Sequence, residues 1–195
     1  MKRILVIATA CFLVSCATST PRGSAEQALT RPISERIHWP DRYDPRQSTF
    51  FVHNEIEIQA SPRVIWNILV DAESWPLWYE GAKEVKIKDA SSRLLSADSD
   101  FTWKTMGMSW VSQVKEFVPY QRLATESRKS VIQGYHAWLI VPNGTGCKVI
   151  TDESFRGPLG RLQGTFIPNK LHRLHQMFLE ELKKKAEAKT QRSKS

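Results

Sequence analysis

The residues best suited to chemistry are five histidines and a few carboxylates scattered among aromatic side chains. His172 and His175 lie three apart, close enough to share one face of a helix. A zinc site built on them wants a third ligand and commonly the HExxH spacing, and the neighbouring sequence offers neither. The pair reads as part of a solvated helix face, and no metal ligand is assigned. Acid–base chemistry needs two ionisable groups facing one cavity within hydrogen-bond reach. His136 and Glu126 are the catalytic candidates for such a dyad, with Tyr135 and Glu153 as further ionisable groups on strands. Asp152 and Glu153 are adjacent, so strand alternation turns one of them inward. Which one depends on register, because a one-residue slip moves every side chain to the other face. Cys147 follows a turn and reads as a small strand residue. Phe101, Trp103, Trp110, Tyr135 and Trp138 form the candidate ligand-binding set, since aromatic side chains bury large areas and suit an apolar cavity as well as a core.

These candidates must be held by elements that the pattern marks out. Val52, Asn54, Ile56 and Ile58 alternate with Phe51, His53, Glu55 and Glu57, as in a strand with one wet face. Ser61 is a good N-cap and Pro62 suits the first helical position, so a helix carrying Ile65, Ile68 and Leu69 follows. A second short helix is predicted over 71–78. The period then changes to two. Strands are expected around Val85, around Phe101 to Thr105, over 110–117, through Leu123 and Thr125, over 132–141, and over 149–155. Asn143-Gly144-Thr145-Gly146 marks a hairpin turn. Gly157-Pro158 ends the sheet, and a helix runs to about Lys189. Its apolar stripe is Ile167, Leu171, Leu174, Phe178 and Leu182, and Pro168 kinks it or marks its regular start. A sheet of this length must bury one face, and the last helix is the element long enough to cover it.

The chain of 195 residues suits one domain plus extensions. Its mean hydropathy of −0.38 excludes a polytopic membrane protein. The net charge is +8, but Lys2 and Arg3 lie in the leader and Lys183, Lys184, Lys185, Lys189, Arg192 and Lys194 crowd the tail. No basic face is left for nucleic acid, and none is expected as a partner.

Met1-Lys2-Arg3 is a positive start, and Ile4 to Val14 is an apolar run of 11 residues. A spanning helix needs about 20 residues, so this is a signal segment. It ends in Leu13-Val14-Ser15-Cys16, which resembles the lipobox of bacterial lipoproteins. That resemblance implies cleavage after residue 15, acylation of Cys16, and a membrane anchor through the acyl chains. Ala17 after the Cys resembles an outer-membrane sorting signal. Residues 16–48, rich in Ser, Thr, Pro and Arg, read as a flexible tether whose end docks through Ile37, Trp39 and Tyr43. The folded domain spans 49–187, and 188–195 reads as a basic disordered tail.

Ile56-Glu57-Ile58-Gln59-Ala60-Ser61-Pro62-Arg63-Val64-Ile65-Trp66, then Asp71, then Trp75-Pro76-Leu77-Trp78, resembles the opening of the START-like superfamily, also called SRPBCC or polyketide cyclase-like. The resemblance implies an α+β helix-grip fold, a curved seven-stranded antiparallel sheet wrapped around a long C-terminal helix. It also implies a cavity between sheet and helix for a hydrophobic small molecule or lipid. Members that hydroxylate aromatic rings hold iron with two His and a carboxylate, and no matching sequence motif is found here. No cofactor is expected, and binding is favoured over catalysis. The alternatives are a cyclase- or dehydratase-like enzyme and a ligand-free protein-interaction module.

Overall fold

A computed structural model describes residues 25–88 and 92–193. The residues read as a signal segment and a lipidated Cys16, the first part of the expected tether and the last two residues lie outside the described residues. The element order is α1 (Ala25–Thr30), β1 (Phe50–Ile58), α2 (Pro62–Leu69), β2 (Lys83–Ile87), β3 (Asp100–Thr105), β4 (Met108–Val118), β5 (Arg122–Lys129), β6 (Ile132–Asn143), β7 (Gly146–Arg156), α3 (Pro158–Phe166) and α4 (Pro168–Arg192). The strands form one seven-stranded antiparallel curved sheet in the order β1-β7-β6-β5-β4-β3-β2. The first strand closes on the last, and α4 lies across one face, packed on β1 and α2. This is the helix-grip architecture.

Local chemistry sets the element ends. Ser61 caps α2 by accepting from the Val64 N–H, and Pro62 occupies the first turn. Ile65, Trp66, Ile68 and Leu69 then turn into the core. The segment after α2 is a 3-10 helix, Ala72–Leu77, interrupted by Pro76. Gly157 ends the sheet at φ 100, where a Cβ would sit 2.6 Å from the Val131 carbonyl oxygen, so only glycine fits. The helical tail is two helices, broken at Ile167 (φ −133, ψ 47) directly before Pro168. Among the described residues, no helix is long and apolar enough to cross a membrane.

Three sequence expectations are corrected here. The stripe buried by α4 is Leu171, His175, Phe178, Leu182 and Ala186 with Leu179, whereas Ile167 is 40% exposed. Spacings of 4, 3, 4 and 4 put His175 on the inward face, not a solvated one. The described part of 16–48 is not a free tether: α1 and three 3-10 turns follow one another, and Ile37 and Tyr43 are buried against Ala124, Tyr135, Ala137, Leu139 and Ile150. The outer face of β5–β7 is apolar and would otherwise face water, so the segment covers it. The tail over 188–192 continues α4 instead of being disordered.

Candidate functional site

A cavity lies between the sheet and α4. Trp103 and Trp110 come from β3 and β4, His136 and Trp138 from β6, and Thr151, Glu153 and Phe155 from β7. Leu171, His175 and Phe178 close it from α4, and Trp75 and Tyr79 from the segment after α2. Partly exposed Thr105, Met106 and Met108 on the β3–β4 turn form the rim with Gln163 of α3. The free volume is about 50 Å³. That is room for a few waters or an ion, far below the roughly 300–1,000 Å³ of pockets that enclose drug-sized ligands. The aromatic rings themselves occupy the space. Trp75 meets Trp103, Trp138 and Phe178 at ring-centroid distances of 6.1, 6.2 and 5.7 Å. A ring-sized ligand therefore enters only as side chains move, and the rim methionines, unbranched and flexible, are the easiest to displace.

The indole N–H groups divide into two classes. Trp75 donates to the Leu69 carbonyl at 3.1 Å and Trp103 to Ser112 Oγ at 2.9 Å. The N–H groups of Trp110 and Trp138 are buried with no acceptor among the described residues. Buried polar groups are nearly always paired, and an unpaired one costs about 1–3 kcal/mol. Two unpaired donors on one cavity are what a ligand oxygen would satisfy.

Beside them lies a polar cluster. His136 and Glu153 are cross-strand partners on β6 and β7. His175 Nε2 is 3.1 Å from Glu153 Oε2, and His136 Nδ1 is 3.9 Å from the same oxygen. The two imidazoles are stacked, with centroids 4.5 Å apart and planes at 10°, and His136 also stacks on Trp138 at 3.8 Å. Burial, helped by the neighbouring His175, holds the His136 pKa well below the usual imidazole range. These ligating atoms all lie within 4.8 Å of one another.

The candidates named from sequence sort by face. Trp103, Trp110, Trp138, His136 and Glu153 line the cavity, while Phe101 packs in the core against Trp75. Tyr135 and Glu126 are on the opposite face, paired with each other across β5 and β6. There Tyr135 stacks on Tyr43 at 5.5 Å, and Glu126 accepts from Tyr43 Oη at 2.6 Å. A His136–Glu126 dyad is therefore excluded, because residues 126 and 136 occupy opposite sides of one sheet. His175 was missed as a site residue; its seven-residue offset from Leu182 on the apolar stripe was the available signal. Cys147 is a buried strand residue, as read, donating to the Ala60 carbonyl. Burial leads its thiol pKa upward, away from reactivity.

A family model described as polyketide cyclase / dehydrase and lipid transport matches residues 49–187. Among curated proteins none matches the chain. Solved structures share the fold. A hypothetical protein, jhp0584, from Helicobacter pylori is 24% identical, with a TM-score of 0.72 over 77% of this chain and 95% of its own. A START superfamily protein from Mycobacterium smegmatis is 20% identical, with a TM-score of 0.52 over 73% of this chain and 97% of its own. The di-domain ARO/CYC StfQ from the steffimycin biosynthetic pathway is 11% identical, with a TM-score of 0.60 over 72% of this chain and 52% of its own.

Proposed function

The chain belongs to the polyketide cyclase / dehydrase and lipid transport family, and on that premise we propose that it binds a hydrophobic small molecule bearing an oxygen acceptor. The observation that carries the reading is the aromatic cavity with two unpaired indole donors, Trp110 and Trp138, in its wall. Apolar burial at about 25 cal/mol per Å² drives binding, and the donors orient the polar end. Met106 and Met108 move aside to admit the ligand. The test uses the full chain in detergent with 2-naphthol as probe, followed by tryptophan fluorescence. Saturable quenching is expected, weakened at least about tenfold in Met108→Trp, which fills the rim. No saturable binding, or equal binding by both proteins, overturns it.

Acylation of Cys16 would hold this domain at the envelope membrane, on the outer-membrane side according to Ala17. The support is the leader pattern alone. Cys16→Ser is expected to move the protein from the membrane fraction to the soluble one; unchanged membrane retention refutes the anchor.

A second reading, acid–base catalysis of the cyclase or dehydratase kind, is favoured by the His175–Glu153 contact of 3.1 Å at the cavity wall.

A further inference from the structure

Three ionisable side chains from three elements converge on the cavity, and their hydrogen bonds fix what each can offer. Thr151 Oγ1 donates to the Ala137 carbonyl at 3.2 Å, so toward His136 it can act only as acceptor. It lies 2.7 Å from His136 Nε2, which must therefore carry the proton. That leaves a bare lone pair on Nδ1, and Nδ1 is the nitrogen 3.9 Å from Glu153 Oε2. A carboxylate oxygen and an imidazole lone pair thus face each other, two acceptors that a cation would bridge, as would a water donating to both. The charge count agrees. Among the described residues Glu153 has no Lys or Arg within ion-pair distance, only the two imidazoles. Its side chain is 13% exposed, so water does little to compensate it. His175 completes the set with Nε2 at 3.1 Å from the same oxygen, and its buried Nδ1 has no partner among the described residues.

We propose that His136 Nδ1, Glu153 and His175 bind a divalent first-row transition-metal ion at the cavity wall, with its remaining coordination positions open to the cavity. Two imidazole nitrogens and one carboxylate suit zinc or its neighbours and not calcium or magnesium, which take oxygen ligands. Metal–nitrogen bonds of about 2.0–2.1 Å place donors roughly 3.3 Å apart around a tetrahedral ion, so the gaps of 3.1 and 3.9 Å to Glu153 need small closure and the two imidazole nitrogens, within 4.8 Å of each other, need more. The parallel imidazoles do need to change, because lone pairs on one ion converge. His175 is the ring that turns: Thr151 pins His136, whereas nothing among the described residues holds His175 Nδ1. Thr151 is a positioning residue that sets the His136 tautomer. An open coordination position beside apolar walls would polarise the oxygen of a cavity ligand. The site shares the cavity with the binding reading but does not rest on it, since the metal is titrated without any organic ligand.

The test titrates Zn²⁺ into the full, chelator-treated chain by calorimetry, and Co²⁺ by visible absorption and by quenching of Trp138. One tight equivalent and a cobalt spectrum of low-coordinate nitrogen–oxygen type are expected. Glu153→Gln, which keeps the shape, should weaken binding about 100-fold, and Thr151→Val about tenfold through loss of the tautomer lock. His38→Ala, at the exposed His38–Glu116 pair, should change nothing. Absence of a tight equivalent, or one that survives Glu153→Gln, overturns the proposal. Thermal melts of the metal-free proteins check that each variant folds.

Discussion

Asp152 and Glu153 are consecutive residues of β7 with opposite circumstances. Asp152 points to the outer face and is fully buried, yet Arg31 reaches it at 2.9 Å and His53 at 2.6 Å. Glu153 points to the cavity and among the described residues has only imidazoles as ion-pair partners. The same contrast runs along the two faces. On the outer face Glu126 accepts from Tyr43 and pairs with Arg128 at 2.8 Å, and Lys148 meets Glu35 at 2.7 Å. On the cavity face two indole donors and an imidazole nitrogen have no partner among the described residues. Unsatisfied groups cost stability, and the outer face has one too in Ser154 Oγ, so the contrast lies in charge: Asp152 and Glu126 have arginine partners, whereas among the described residues Glu153 has none.

Three substitutions test that contrast. The largest effect is expected for Arg31→Ala, which strands Asp152 as a buried charge with His53 alone; a loss of about 3 kcal/mol follows and is read by urea denaturation. A loss below about 1 kcal/mol would show the outer face to be no better paired than the cavity face. Tyr43→Phe comes next, at about 1.5 kcal/mol for one hydrogen bond to a carboxylate. Its pH dependence has a definite sign. Burial pushes the Glu126 carboxyl up, but the Arg128 and Tyr43 hydrogen bonds outweigh it and hold the group below its ordinary range. A folded pKa below the unfolded one gives stability that is present above the unfolded value and lost as pH falls through the folded value. The gap between parent and Tyr43→Phe should therefore narrow in acid; a constant gap in urea midpoints from pH 7 to 3 would remove the ionic role of this pair. The smallest effect belongs to Glu153→Gln in the metal-free protein, within about 0.5 kcal/mol or slightly stabilising, because no strong partner is lost. A large loss would mean that Glu153 is already as well paired as Asp152.

Much of the fold was legible because it rests on local rules. Ser61-Pro62 starts α2, Gly157-Pro158 ends the sheet, and Pro168 opens α4. The cap, the break and the period-two strands are decided within a few residues. The docked segment over 25–48 was legible only at Ile37, Trp39 and Tyr43, since its cover is needed by β5–β7, which are distant in sequence. The candidate site was half legible. Trp103, Trp110, Trp138 and His136 line the cavity, whereas Phe101, Tyr135 and Glu126 do not.

The sequence by itself determined the order of elements, the helix caps and breaks, and the apolar content that closes a helix over a sheet, because neighbouring residues carry those preferences. Tertiary structure alone decided register and depth. It set which of Asp152 and Glu153 turns inward, brought residues 136, 153 and 175 within 4.8 Å, and left about 50 Å³ of free space where the aromatic content implied more. Alternation on a strand has a period of two and carries no absolute phase. Only pairing with β6 and packing under α4 fix that phase, and with it the chemistry of the cavity.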